Sequence, residues 1–284
     1  MRPEFFNLLQ PYALFVGGFL GLLLGSFLNV VIYRLPQILE QEWQSEMTLQ
    51  DAERASPSPR FNLSTPSSHC PQCQHCLSWW ENLPLLSYLL LKGRCRACHT
   101  PIPWRYPAIE ILTALAVAAC FERWGLSLQA MAWSGFVCTL IALAVIDWDT
   151  TLLPDSLTQP LIWAGLMVAA LDVSGLSLTD ALWGAVAGYL SLWSVYWIFK
   201  LVTGKEGMGY GDFKLFAGLG AWLGWTALIP LILGASLAGI AAGLVLQKRQ
   251  QLRENQHIPF GPFLAMAAVA YMVWGDFLTQ MGWT

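Results

Sequence analysis

Apolar residues along this chain gather into long runs, and polar stretches separate one run from the next. A helix that crosses the hydrocarbon core of a bilayer needs roughly 20 apolar residues. Runs near that length, some of them shorter, occupy residues 11–33, 107–122, 127–146, 157–171, 179–199, 213–246 and 258–279. The pattern therefore predicts an all-α polytopic membrane protein.

The run at 213–246 is too long for a single span. As one straight helix it would measure about 51 Å at ~1.5 Å per residue, against a hydrocarbon core of about 30 Å. Gly224 and Pro230 lie inside the run and offer places to break it. Splitting it there gives two rather short spans and a predicted total of about eight transmembrane helices.

The basic residues support the split and predict the orientation. Lys and Arg accumulate on the cytoplasmic side of membrane proteins. With segment 34–106 in the cytoplasm and eight spans, all of the 15 Lys and Arg residues except Arg2 and Arg123 fall on that side. Both termini are then periplasmic. The predicted domains are a first, permanent transmembrane helix (1–33), a cytoplasmic loop (34–106) and a transmembrane domain (107–284).

Composition agrees with a lipid environment. Hydrophobic residues make up 56% of the chain and charged residues 12%, whereas soluble domains carry about 25% charged residues. The predicted surroundings are membrane lipid. The net charge of −3 gives no argument for a nucleic-acid partner, and none is predicted.

Two CxxC pairs lie in the polar segment, Cys70 with Cys73 and Cys95 with Cys98, and 21 residues separate them. Two such turns can point four thiolates at one ion, so the pattern predicts a small Zn²⁺-binding insert. Because four thiolates leave no open position for water, the predicted role of the zinc is structural. Cys76 also has CxxC spacing to Cys73 and could replace Cys70. Disulfides or unliganded thiols are the alternatives, although disulfides are rare in the cytosol.

Two aspartates at the ends of apolar runs are the candidate catalytic residues. Asp147 ends the third run, and Asp212 opens the split run after a glycine-rich stretch. The predicted topology puts both at the cytoplasmic end of the membrane, where two carboxyl groups from separate helices can share one water. Close approach keeps one of them protonated. The ionised partner then acts as general base on the water, and the other donates to the scissile carbonyl.

Simpler interpretations of the acids stay open. Asp212 could cap a helix that starts at Phe213. Asp149 and Asp155 could be ordinary interfacial acids, with Asp155 capping the fourth span. Glu110, inside the second span, could pair with Arg105, reach the interface, or have a function.

Several of these residues occur in segments that resemble the type IV prepilin peptidases, the prepilin leader peptidase/N-methyltransferase family. The matching segments are 25–36 (GSFLNVVIYRLP), the two CxxC pairs, 106–113 (YPAIEILT), Asp147 with 153–155 (LPD), 209–212 (GYGD) and 258–263 (IPFGPF). They cover nearly the whole chain in the order of the family. The GxGD tetrad alone would be far less specific.

The resemblance implies a function. Members cleave the basic leader of type IV prepilins and type II secretion pseudopilins at the cytoplasmic face of the bacterial inner membrane. The catalytic aspartates of the family correspond to Asp147 and Asp212. Members with the cysteine insert typically also methylate the new N-terminal amine with S-adenosyl-L-methionine, so both activities are expected. No residue is assigned to the methyl donor.

Three other functions compete with this one. A GxGD intramembrane protease resembling presenilin would use the same aspartates but cut within a transmembrane helix, and the insert and the 25–36 motif argue against it. A transporter would place acids near mid-membrane and show internal repeats. A scaffold that docks a partner through the insert would leave the aspartate pair without a role.

Overall fold

The computed structural model of the protein describes residues 10–49, 61–205, 207–248 and 258–280. Over these ranges the regular structure is helical, with two isolated bridges and no β-strand. The α-helices found there are α1 (Ala13–Leu49), α2 (Leu86–Leu90), α3 (Arg105–Trp124), α4 (Leu128–Thr150), α5 (Asp155–Ala170), α6 (Leu178–Thr203), α7 (Tyr210–Leu223), α8 (Leu228–Lys248) and α9 (Gly261–Gln280).

Every helix except the short α2 corresponds to a predicted apolar run, and the 213–246 run is divided as predicted. The division falls at Gly224, where α7 ends. Gly224 has a φ of 83° and a ψ of 167°, a backbone conformation essentially confined to glycine. Pro230 lies instead in the first turn of α8. Backbone N–H groups in a first turn have no partner within the helix, so the N–H group that proline lacks removes no helical hydrogen bond.

The predicted all-α membrane fold is confirmed. Within the described ranges, 4 helices are long and apolar enough to cross a membrane, namely α1, α4, α6 and α8, and α9 adds a shorter apolar stretch. The protein is therefore a multi-pass membrane protein. The total of eight spans stays a prediction.

The chain forms two compact units, Met1–Cys138 and Thr139–Thr284. In the first, α1 and α3 pack together antiparallel. A Cβ at Gly21 would lie 2.6 Å from Ala114 Cα, and a Cβ at Gly25 would lie 2.7 Å from Glu110 Cα. Glycines at such contacts let two membrane helices approach closely, so these positions set the α1–α3 distance.

Helix α1 is longer than the first apolar run. It continues through Pro36 to Leu49, into the segment predicted to be a cytoplasmic loop. The extension is rich in Gln, Glu and Leu, which favour helices.

Of the basic residues behind the predicted orientation, Arg2, Arg54, Arg60, Arg249 and Arg253 lie outside the described residues.

Helix α7 is the buried helix of the second unit. All of its residues from Asp212 to Trp222 are buried except Lys214. Its Phe213 ring meets the ring of Tyr196 on α6 with centroids 5.6 Å apart. The indole N–H of Trp222 donates to the Leu161 carbonyl on α5 at 2.9 Å. Asp212 lies in the first turn of this buried helix, and its side chain is buried with it.

Candidate active site and cysteine cluster

Asp147 and Asp212 both belong to the second unit, and both are buried. Asp147 lies in the last turn of α4, whereas Asp212 lies in the first turn of α7. The end of α4 and the start of α7 meet around Leu153, which follows α4 and packs against Gly211, the residue before Asp212. The structure therefore brings the two acids to one region, from helices that are far apart in sequence.

The first residue of α9 contacts Asp147 directly. The backbone N–H of Gly261 donates to Asp147 Oδ2 at 2.9 Å. A Cβ at Gly261 would lie 2.6 Å from the same oxygen, which is inside van der Waals contact. Only glycine therefore allows this hydrogen bond without moving the carboxylate.

Leu153 packs where the loop after α4 meets the starts of α7 and α9. A Cβ at Gly211 would lie 2.6 Å from Leu153 Cβ, and a Cβ at Gly261 would lie 3.2 Å from Leu153 Cδ2. The side chain thus fills the space between two glycines that flank the acids. Three backbone segments converge here, which fixes the surroundings of both carboxyl groups.

Two of the simpler interpretations do not describe the structure. Helix α7 begins at Tyr210 with Gly209 as its N-cap, so Asp212 is not a cap. Helix α5 has Pro154 at its N-cap, and both carboxylate oxygens of Asp155 lie 2.7 Å from Lys214 Nζ. Asp155 is therefore an ion-pair partner rather than a cap.

The cysteines of the two CxxC pairs form one cluster in the first unit. The Sγ atoms of Cys70, Cys73, Cys95 and Cys98 all lie within 4.8 Å of one another. The Cys70–Cys98 and Cys73–Cys95 sulfurs are 3.8 and 3.9 Å apart, well beyond a disulfide bond of about 2.05 Å. A tetrahedral zinc ion with Zn–S bonds of about 2.3 Å would hold its sulfurs roughly 3.8 Å apart. Two of the six sulfur pairs therefore have the spacing of a tetrahedral thiolate site, and none is longer than 4.8 Å.

Both CxxC pairs adopt the same turn. The N–H of Gln74 donates to the Cys70 carbonyl, and the N–H of His99 donates to the Cys95 carbonyl, each at 3.0 Å. Gln74 and His99 have φ values of 57° and 58°. A hydrogen bond with the Thr100 hydroxyl lowers the pKa of Cys98 to about 6. Repetition of one turn explains how two separate segments present their sulfurs to a common centre.

Cys76, the alternative ligand, is exposed and lies outside the cluster.

A buried acid, Glu81, lies between the two cysteine pairs. The ring of His75 faces its carboxylate at 3.4 Å. The backbone N–H of Ser78 donates to Glu81 at 2.7 Å, and this bond lowers the pKa of Glu81. The buried acid thus stabilises the turn between the cysteine pairs.

Two polar side chains of α1 make contacts outside their own helix. The Ser26 hydroxyl contacts the Asn82 carbonyl of the insert at 3.4 Å. The Asn29 amide donates to the Tyr106 carbonyl in the first turn of α3 at 3.1 Å. Both side chains come from the 25–36 motif, so this motif contacts both the insert and the helix that follows it.

Glu110 and Arg34 make further attachments. The buried Glu110 carboxylate accepts the backbone N–H of Leu85 at 2.8 Å. Arg34 donates to the carbonyls of Asn62 and Leu63 at 3.1 and 3.2 Å. The sequence left the role of Glu110 open. In the structure its carboxylate joins the insert to α3.

Two features of the site were missed from the sequence: the hydrogen bond from Gly261 to Asp147, and the contact of Leu153 with two glycines. Both residues lie inside motifs, 258–263 and 153–155, which mark them as special positions. The motifs do not reveal which side chain each glycine or leucine meets, because those partners are distant in sequence.

These features define a class, the multi-pass helical membrane proteins with two buried carboxyl groups at the ends of separate helices. The bacterial peptidase A24 N-terminal domain matches residues 19–124, and the type IV leader peptidase family matches residues 134–244. No solved structure matches the chain significantly.

Proteins named prepilin leader peptidase/N-methyltransferase are similar over most of the chain. The one from Stutzerimonas stutzeri is 50% identical over 263 residues, and the one from Aeromonas hydrophila is 50% identical over 267 residues. The one from Pseudomonas aeruginosa is 48% identical over 264 residues. Each alignment covers 92% of this chain and 90% of the relative. The chain belongs to the type IV leader peptidase family, which confirms the resemblance of its motifs.

Proposed function

We propose that the protein is a membrane-embedded aspartic endopeptidase that removes the leader of type IV prepilins and type II secretion pseudopilins. The observation that carries the proposal is the pair of buried acids, Asp147 and Asp212, whose neighbours Gly261 and Gly211 both pack against Leu153. Family membership and the names of the relatives support the substrate class.

The paired acids supply the chemistry of peptide hydrolysis. Two carboxyl groups in one buried site do not both ionise easily, so the pair holds one proton between them. The ionised group takes a proton from the attacking water while the protonated group donates to the carbonyl oxygen of the scissile bond. The proton gained by the first group is then available to the leaving amine. No covalent intermediate is required.

The cut is expected at the leader junction rather than within the substrate's apolar helix. Family membership favours this over a presenilin-like intramembrane protease, a transporter or a scaffold. A panel of prepilin peptides, one extended through the junction and one limited to the helix, tests the choice. Mass analysis should find fragments ending at the junction, and cuts confined to the helix would reverse the assignment.

The proposed location is the bacterial inner membrane, with the insert and the paired acids on the cytoplasmic side. The excess of Lys and Arg on one side of the predicted spans supports this orientation. Membrane lipid and prepilins are the proposed partners, and nucleic acid is not. Protease digestion of sealed inverted vesicles should cut the insert, whereas right-side-out vesicles should protect it.

A second activity is N-methylation of the new N-terminal residue with S-adenosyl-L-methionine as the donor. The names of the relatives support it. Leader cleavage should proceed at an unchanged rate without the donor, because hydrolysis needs only the two acids and water. N-terminal mass analysis of a prepilin incubated with and without the donor measures both reactions. An absolute requirement of cleavage for the donor would contradict the separation of the two activities.

The cysteine cluster is proposed to hold one structural zinc ion. Two of its sulfur pairs have tetrahedral spacing, and four thiolates leave no open position for catalysis. The bound ion would cross-link the two CxxC turns and so stabilise the insert.

Cys98→Ser should lose most of the bound zinc and loosen the insert, because a serine hydroxyl is a poor substitute for a thiolate ligand. The matched control is Cys76→Ser, which alters an exposed cysteine outside the cluster. Elemental analysis should find about one zinc per chain in the wild type and the control. Full zinc retention by Cys98→Ser would reject the proposed ligand set.

A further inference from the structure

The insert carries apolar side chains that the described residues of the first unit leave exposed. Trp79 is 79% exposed, Leu89 is 71% exposed, Leu90 is 63% exposed and Trp104 is 76% exposed. Leu86, at the start of α2, is also exposed. This many exposed apolar side chains in one small insert indicate a binding surface. We call the surface formed by Trp79, Leu86, Leu89, Leu90 and Trp104 the apolar face of the insert.

Two hydrogen bonds set the depth of this segment along the membrane helices. Asn82, just before α2, contacts Ser26 at 3.4 Å, and Leu85 donates to Glu110 at 2.8 Å. Ser26 does not lie at the end of the apolar run of α1. The run continues for about two more turns, to Tyr33.

The lipid-facing surface of α1 extends past the level of this contact. Phe27 and Tyr33, which follow Ser26 on α1, are both exposed, and α1 is one of the helices able to span a membrane. The start of α2 is therefore held beside a part of α1 that itself faces lipid. At that depth the exposed apolar side chains at the start of α2 lie beside the part of α1 predicted to cross the hydrocarbon core.

Basic residues directly follow the apolar face. Lys92, Arg94 and Arg96 are all exposed, and Arg96 also lies over the ring of Trp80 at 5.0 Å. Trp side chains with basic residues beside them are typical of the membrane–water interface, where the ring meets the headgroups and the cation meets lipid phosphate.

We propose that the insert is docked in the bilayer, with the apolar face among the acyl chains of the adjacent leaflet and Lys92, Arg94 and Arg96 at anionic headgroups. The cysteine cluster then stabilises a membrane-docked module, and the Ser26 and Glu110 contacts fix its depth. This inference does not depend on the proposed peptidase activity.

The apolar helix of a prepilin is the other occupant of suitable chemistry. The depth of the Leu85–Glu110 contact and the neighbouring exposed residues of α1 favour lipid, because lipid surrounds α1 whether or not a substrate is present. Adding a prepilin to the labelled protein distinguishes the two occupants.

Depth can be measured with a fluorescent amino acid introduced singly at Leu89, Phe15 or Ser64 in the full chain. Phe15 is an exposed residue of α1 and serves as the lipid control. Ser64 follows the two carbonyls bound by Arg34, beyond the apolar run, and serves as the water control. Each protein is placed in nanodiscs of phosphatidylcholine and phosphatidylglycerol, with or without bromine on the acyl chains. Zinc content and cleavage activity report on folding.

Brominated lipid should quench the Leu89 probe to within about twofold of the Phe15 probe, while the Ser64 probe stays unquenched. Omitting phosphatidylglycerol should weaken the Leu89 quenching, and the double variant Lys92→Gln/Arg94→Gln should remove that dependence on anionic lipid. Quenching at Leu89 no greater than at Ser64 would overturn the proposal. So would a Leu89 probe that responds to added prepilin but not to brominated lipid.

Discussion

Asp147→Asn and Asp212→Asn should each lower the rate of prepilin cleavage by about 10³-fold, a loss typical for removal of general acid–base catalysis. Asparagine keeps the shape of the side chain but neither accepts a proton from water nor donates one as an acid. Both residues are buried, in one region around Leu153. The measurement is the initial rate of leader release from a purified prepilin.

The matched control is Asp149→Asn, because Asp149 is an exposed residue two positions from Asp147 on the same helix. Its cleavage rate should stay within about twofold of the wild type, as for most exposed substitutions. Methylation of a substrate supplied already cleaved should persist in all three variants, which shows that they fold. A wild-type cleavage rate in either buried variant would remove that aspartate from the proposed mechanism.

Gly261→Ala should reduce cleavage by about 10²-fold, the cost of a misplacement of about 1 Å at a catalytic group. The new methyl group would start 2.6 Å from Asp147 Oδ2, and either the carboxylate or the start of α9 must shift to relieve the overlap. The hydrogen bond from the Gly261 N–H to Asp147 is then lost or displaced. The effect should appear in kcat more than in KM, because the acid rather than the substrate site is moved.

Gly239→Ala on α8 is the control for this variant. A Cβ there would meet the Phe263 ring at 3.5 Å, an ordinary contact, so its cleavage rate and thermal unfolding should resemble the wild type. A Gly261→Ala protein with unchanged kcat and an unchanged pH profile would show that the contact with Asp147 does not position the acid.

The helices were predictable because each apolar run is long and bounded by polar residues. The break in the 213–246 run was predictable as well, since its length exceeds one bilayer and Gly224 offers a natural end. Charge also singled out Asp147 and Asp212, because acids at the ends of apolar runs are costly without a purpose, and the structure buries both side chains. These inferences need only local sequence and the thickness of a membrane.

Contacts between distant segments were not predictable. Nothing near Glu110 in sequence reveals that its carboxylate accepts the N–H of Leu85, and nothing near Gly261 reveals Asp147 as its partner. The extension of α1 to Leu49 was missed for another reason. Its polar residues predicted a loop. Most of them nevertheless favour a helical conformation when they follow directly on a helix that has already formed.

The central claim is that Asp147 and Asp212 act as one unit on one water molecule, and a double-mutant cycle on leader cleavage tests it most directly. Residues that act together are not additive, so the Asp147→Asn/Asp212→Asn protein should be about as slow as the slower single variant. If the losses of the single variants instead multiply in the double variant, the two acids act independently and the account is contradicted.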